Sequence, residues 1–138
     1  KKDSNFIKNK IGVVFQNSVL DQTLSVYDNL KYRASLYDIT GNEFKKRFEE
    51  LSKMFELNEI KSQKVKTLSG GQRAKTMLAK LLLESPEVMI LDEPTNFLDI
   101  EHIAWLKKYL NDYKKTFMVI SHDIDFLDSV CKFIINTF

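Results

Sequence analysis

Four apolar residues, Val88-Met89-Ile90-Leu91, run without interruption into two carboxylates, Asp92-Glu93, and then into Pro94. No other segment limits the fold as tightly. A run this short, closed by a breaker, suits a buried strand, and Pro94 turns the chain out of the strand immediately afterwards. The acids are thereby left at the strand's carboxyl end. Two further runs have the same form. Residues 10–15 stop at Gln16, and Phe117-Met118-Val119-Ile120 stops at Ser121-His122-Asp123. Stretches of helical periodicity lie between them, and such alternation predicts an α/β fold with a largely parallel sheet. Open sheets of that kind bind ligands beyond the carboxyl ends of their strands.

The helical stretches are legible one by one. From Ser25, paired with Asp28 as a capping box, Val26, Leu30, Ala34 and Tyr37 recur at helical spacing, and this helix is expected to end near Thr40-Gly41-Asn42. A second helix sets Phe44, Phe48, Leu51 and Phe55 on one face and Lys45, Lys46, Glu49, Glu50 and Lys53 on the other. Its basic cluster, Lys45-Lys46-Arg47, reads as a solvated face. In Leu68-Ser69-Gly70-Gly71-Gln72, Ser69 is the expected N-cap and Gln72 completes a capping box. The helix so begun carries Met77, Leu78, Leu81 and Leu82 and stops at Glu84-Ser85-Pro86. Asp99 caps a further helix, with Ile100, Ile103, Leu106 and Leu110 on its inner face and Trp105 and Tyr109 alongside. A short helix from about residue 125 to 131 precedes a last apolar run, Phe133-Ile134-Ile135.

Composition narrows the function classes. A chain of 138 residues corresponds to one domain, and 43 % apolar with 29 % charged residues is ordinary for a globular core. A net charge of +2 is far from the concentrated positive charge of a dedicated nucleic-acid binder. No uninterrupted apolar run exceeds four residues, and the polar start Lys1-Lys2-Asp3-Ser4-Asn5 reads as no secretory signal, so a cytoplasmic setting is expected. The single cysteine, Cys131, lies in an apolar stretch and reads as a buried, inert thiol.

The residues at the strand ends are those a phosphate site uses. Asp92 is placed to hold Mg²⁺ against nucleotide phosphates, and Glu93 to orient or deprotonate an attacking water. Gln16 could coordinate the metal or the water through its carbonyl, and His122 could donate a hydrogen bond to a phosphate as charge builds. His102 has no ligand partner at metal-binding spacing and reads as structural, and Trp105 reads as core.

Order and spacing add to this, because the chain closely resembles an ATP-binding cassette (ABC) domain. Leu68-Ser69-Gly70-Gly71-Gln72 matches that family's signature motif letter for letter, and Val88 through Pro94 resembles its Walker B strand with the catalytic glutamate. Thr95-Asn96-Phe97-Leu98-Asp99 resembles the D-loop, Ser121-His122-Asp123 the switch histidine, and Val14-Phe15-Gln16 the Q-loop. The resemblance implies a partial P-loop NTPase core with a parallel sheet plus an ABC helical subdomain. Residues 17–86 would form the helical subdomain, and 1–16 and 87–138 parts of the catalytic core. It implies ATP and Mg²⁺ as ligands, with Glu93 and His122 catalytic, Asp92 and Gln16 at the metal, and Asp99 in the D-loop. Ser69, Gly70, Gly71 and Gln72 would act in trans on ATP held by a second cassette in a head-to-tail dimer. A transmembrane transporter subunit is the further partner implied, with the cassette peripheral to the membrane on its cytoplasmic side.

The family's phosphate-cradling loop, Gly-x-x-x-x-Gly-Lys-Ser/Thr, is not among the 138 residues, so the chain reads as a piece lacking Walker A and inactive on its own. Residues 133–135 would then lack a neighbouring strand, and the open sheet edge invites dimerisation, strand exchange or a rearranged C-terminus. The two sides of the signature also resemble different classes. Residues 11–66 are similar to drug-export transporter ATPases. Residues 73–83, 96–103 and 121–131 are similar to the soluble ABC-F proteins that act on the ribosome, so the chain reads as a hybrid with a seam near the signature. Transporter ATPase is the leading expectation. The alternatives are an ABC-F-type piece, for which nucleic acid would be a direct partner, and a catalytically inactive interaction module.

Overall fold

The computed structural model describes residues 11–14 and 20–135. Gln16 and the start of the run at residue 10 lie outside the described residues. Three parallel strands form one sheet in the order β1-β2-β3: β1 (Ile11–Val14), β2 (Val88–Asp92) and β3 (Thr116–Ile120). Ile11 pairs with Val88 and Val14 with Leu91 on one side of β2, while Val88 pairs with Thr116 and Asp92 with Ile120 on the other. The predicted α/β fold with a parallel sheet is what the chain adopts. The central strand is β2, paired on both sides, and its Met89 and Leu91 are buried.

Three helices lie between β1 and β2: α1 (Val26–Ser35), α2 (Gly41–Phe55) and α3 (Gly70–Glu84). Phe44, Phe48, Leu51 and Phe55 of α2 are all buried, as their spacing predicts. Tyr27 meets Phe44 and Phe48 edge-on at ring separations of 5.4 and 4.9 Å. Each such buried side chain contributes about 1.5–3 kcal/mol relative to an exposed one. α3 packs on α1 and α2 and also against β1, so helical layer and sheet share one continuous core. Inside α3, Lys80 and Glu84 form an ion pair 3.1 Å long whose side chains are only 7 and 2 % exposed.

The segment between α2 and α3 runs back along the start of α1. Val26 and Tyr27 donate their amides to Gln63 and Lys61, and Val65 and Lys66 donate to Leu24 and Gln22. Amides at the start of α1 that a helix leaves unpaired are satisfied in this way. After β2 come α4 (Ile100–Asp112), β3 and α5 (Ile124–Val130).

Three expectations are corrected. α1 ends at Ser35, and Gly41, at φ +55°, opens the next helix, where the Phe44 amide donates to the Thr40 carbonyl at 3.3 Å. Asp28 does not reach the backbone of Ser25 to complete a capping box. Its carboxylate accepts from the Ser25 hydroxyl at 2.6 Å, while that hydroxyl accepts from the Asp28 amide at 3.0 Å. Ile100 is 85 % exposed, because the first turn of α4 extends past the core that Leu106 and Leu110 join. In line with a run that has no strand to pair with, residues 133–135 form no strand, and Phe133 and Ile135 are exposed.

Candidate active site

β2 and β3 end side by side, which sets Asp92 against Ile120 and brings the next residues of both strands together. Glu93 leaves the strand with φ +49°, a left-handed conformation uncommon for a residue with a side chain. Its amide donates to the Ile120 carbonyl at 2.8 Å, and the turn aims its carboxylate at the segment after β3. There Oε1 accepts from the His122 amide at 3.2 Å and lies 2.9 Å from His122 Nδ1, while Oε2 accepts from the Ser121 hydroxyl at 3.2 Å. The Glu93 side chain is 17 % exposed and that of His122 79 %. The hydrogen bond and charge of Glu93 hold the imidazole above its usual pKa of 6.5, with a smaller contribution from Asp123. Backbone strain at a chemically competent carboxylate is common at functional sites. The two residues expected to be catalytic, Glu93 and His122, are therefore direct partners.

Asp92 sits half-buried at the end of β2. A magnesium ion takes one or two carboxylates and completes its shell with phosphate oxygens and water. Asp92 fits that donor pattern, standing at the end of the strand beside a Glu93 whose Oε1 already faces two donors of His122. Among the described residues no group of three or more His, Cys, Asp or Glu could hold a metal by itself.

The second motif surface is the start of α3. Ser69 caps the helix: its hydroxyl accepts from the Gln72 amide at 3.2 Å, and the Gln72 side chain accepts from the Ser69 amide at 3.0 Å. The predicted capping box is present in full. The two glycines leave room for Phe97, whose φ is +64°. A Cβ on Gly70 would lie 3.2 Å from the Phe97 ring, and one on Gly71 would lie 3.1 Å from the Phe97 carbonyl oxygen. Residues 95–99 thus rest directly on the signature glycines. Asp99 caps α4 by accepting the His102 amide at 3.0 Å, and His102 Nδ1 lies 2.5 Å from the same oxygen. Those bonds, with Lys75 nearby, hold the Asp99 carboxyl at a pKa of about 2. Among the described residues no hydrogen bond or ion pair joins 69–72 to Asp92, Glu93 or His122. The chain therefore presents two separate motif surfaces.

His102 has the structural role expected of it, stacked on Phe55 at 5.7 Å, and Trp105 packs between Phe55 and Tyr109. Burial pushes the Cys131 thiol up, as befits an inert group. Ser121 as a donor to Glu93, and Phe97 as the cover over the glycines, had no signal in the sequence beyond their place inside motifs.

Residues 1–96 match the protein-family model described as ABC transporter. The chain belongs to that family. Among curated ABC relatives, it is 51 % identical over 100 residues to YfmM, an ABC transporter ATP-binding protein of Bacillus subtilis, which covers 70 % of this chain and 19 % of YfmM. It is 34 % identical over 134 residues to the ATP-binding protein Uup of Buchnera aphidicola, covering 90 % of this chain and 23 % of Uup. With the energy-dependent translational throttle protein EttA of Escherichia coli K12 it shares 49 % identity over 73 residues, 53 % of this chain and 13 % of EttA. The chain thus spans a quarter or less of the length of these relatives. Among solved structures, a dimeric ATP-binding cassette in a post-hydrolysis state with ADP and Pi superposes with a TM-score of 0.77 at 31 % identity, covering 94 % of this chain and 59 % of that one. The ATP-binding subunit of an ABC transporter, at 22 % identity and a TM-score of 0.86, shares the fold over 94 % of this chain and 55 % of its own.

Proposed function

We propose that this chain supplies two working surfaces of an ATP-hydrolysing ABC cassette. The observation that carries the reading is the Glu93–His122 pair: a strained, mostly buried carboxylate at a strand's carboxyl end, held by an exposed imidazole of raised pKa. Oε1 of Glu93 already faces two donors, whereas among the described residues Oε2 accepts from Ser121 alone, which leaves lone-pair capacity for a water. That oxygen takes the proton as the water attacks the terminal phosphorus of ATP, and ADP leaves with the cleaved bond's electrons. His122 presents Nδ1 to Glu93, so Nδ1 carries the hydrogen when the ring is neutral. Its outward Nε2 donates to a phosphate oxygen only when the ring is protonated, and the raised pKa favours that form. Asp92 would hold the magnesium ion, which neutralises charge on the phosphates. Gln16 is assigned beside it from the Q-loop resemblance alone.

Ser69, Gly70, Gly71 and Gln72 form the second surface, a capped helix start with amides and a hydroxyl suited to phosphate oxygens. Its separation from Glu93 supports action on a nucleotide held by another cassette. The phosphate-cradling loop, which the 138 residues do not include, is supplied elsewhere in the protein that carries this chain or by its partner. In this reading residues 17–86 are the helical subdomain, and the parent works at the cytoplasmic face of a transporter. A second reading, an ABC-F protein acting on the ribosome, is favoured by the similarity to EttA and Uup.

The test is ATP hydrolysis by the protein carrying this chain. Glu93→Gln is expected to lower turnover by about 100-fold or more, the usual scale of general-base catalysis. Turnover that survives the change overturns the reading. Co-sedimentation of that variant with ribosomes in Mg-ATP, and not with membranes, selects the second parent over the first.

A further inference from the structure

Four segments of the chain converge beside the signature glycines: the end of α2, the start of α3, the turn 95–99 and the first turn of α4. One side chain links three of them. Lys75, on the second turn of α3, places Nζ 2.8 Å from Oε2 of Glu56 and 3.6 Å from Oδ2 of Asp99. Glu56 is the residue that ends α2, held in a left-handed conformation at φ +57°. Asp99 is the N-cap of α4, so its Oδ1 is occupied by His102 while Oδ2 turns toward the lysine. His102 in turn stacks on Phe55, the last residue of α2.

We infer that Lys75 is a positioning residue that ties the turn 95–99 to the start of α3, so that the signature glycines and the D-loop behave as one unit. Exposed ion pairs contribute little because two mobile side chains must be ordered to make them. That cost is small here. Although the Glu56 and Asp99 side chains are 69 and 55 % exposed, that of Lys75 is only 16 % exposed and the cap already fixes the Asp99 carboxylate. The lysine also acts where an apolar hold is weak. Phe97 touches Gly70 and Gly71, yet 73 % of it faces solvent, so little burial keeps the turn seated. Charge supplies what burial does not.

The consequence rests on the function proposed above. Residues 94–98 are the covalent link from Glu93 to Asp99. Anchoring Asp99 on α3 therefore fixes how the water-activating carboxylate stands relative to the phosphate-facing helix start. Lys75 touches neither water nor nucleotide in this scheme and acts through Asp99.

Hydrogen exchange on the full chain tests the unit directly. The amides of Asn96 and Leu98, bonded to Glu93 and Thr95, and that of Arg73, bonded to Ser69, report its two sides. Lys75→Met should speed exchange on both sides together, roughly two- to fivefold, with amides of α1 unchanged. Asp99→Asn keeps an N-cap of equal rank but loses the charge, so it should give the same pattern. The double variant should do no more than either single one, and Lys75→Arg should restore the wild-type rates. Additive effects, or acceleration on one side alone, overturn the inference. In the ATP-hydrolysing parent, Lys75→Met should lower kcat roughly tenfold with the KM for ATP unchanged. If Glu93→Gln stops turnover while Lys75→Met leaves kcat intact, the inference fails and the proposed function stands. If turnover survives Glu93→Gln, the proposed function fails, and the exchange pattern alone decides the role of Lys75.

Discussion

The two motif surfaces are held in place by different forces. The signature sits at the head of α3, whose apolar face disappears into a core shared with α1, α2 and β1, and a reciprocal capping box finishes the helix. Glu93 and His122 stand just past the ends of two strands, where a mostly buried carboxylate and an exposed imidazole are joined by a few polar contacts, and Met118 and Ile120 of β3 face solvent beside them. Burial is indifferent to moderate changes in pH and salt, whereas a contact between an imidazole and a carboxylate is not. One surface is therefore rigid by packing and the other adjustable by charge. That is a sensible division if the first receives a phosphate and the second must change its protonation during each turnover.

The largest effect that would break this contrast is in the helical layer. Phe55→Ala should destabilise the chain by about 3–5 kcal/mol, read as a fall in the urea midpoint, because Phe55 is fully buried and supports both His102 and Trp105. A loss below about 1 kcal/mol would mean that packing does not set the signature side. Next come the glycines, which separate two kinds of crowding. Gly71→Ala meets a backbone carbonyl and should cost about 1–3 kcal/mol, while Gly70→Ala meets an exposed ring able to swing away and should cost clearly less in the same melts. Equal losses would show that Phe97 is as fixed as the backbone. Ser69→Ala removes the cap and should cost about 1 kcal/mol.

The charged side sharpens the contrast with smaller effects. The folded-state pKa of His122 is raised above 6.5, so its contact with Glu93 favours the folded form fully below pH 6.5 and loses that effect as pH rises through the raised value. Glu93→Gln should bring the His122 titration, followed by NMR, back toward 6.5 with little change in the melting midpoint. An unchanged titration would mean that Glu93 is not the cause. Smallest of all, the 138 residues alone should melt cooperatively with no shift on adding Mg-ATP, since without a phosphate-cradling loop there is nothing to couple binding to folding. A clear upward shift would show a nucleotide site assembled from the two surfaces described here.

Much of this was readable in advance wherever one side chain's neighbours are set by local spacing. The buried stripe of α2, the capping box of Ser69 and Gln72, the caps of Asp99 and the strand ends all follow from residues within a turn of one another. That the sheet is parallel followed from three apolar runs separated by helices, while the order β1-β2-β3 did not. What escaped was decided across the fold. Glu56, Lys75 and His102 lie 19 and more residues apart, and nothing in their identities says that they share Asp99 or the end of α2. Gly41 escaped for a related reason, since a left-handed glycine usually ends a helix, and only the bonding beyond it, beginning with the Phe44 amide on the Thr40 carbonyl, assigns it to the next one. Ile100 kept the helical stripe but ran beyond the core it would have joined.

Trp105 is the chain's single tryptophan, and it lies edge-on to Phe55 and flat on Tyr109, whose ring is in turn tilted against Tyr113. Its emission is therefore a private signal from the seam between α2 and α4, the same seam that His102 and Asp99 help to close. A spectroscopist can watch that seam loosen or tighten by light alone, without adding a label, while the rest of the molecule stays dark.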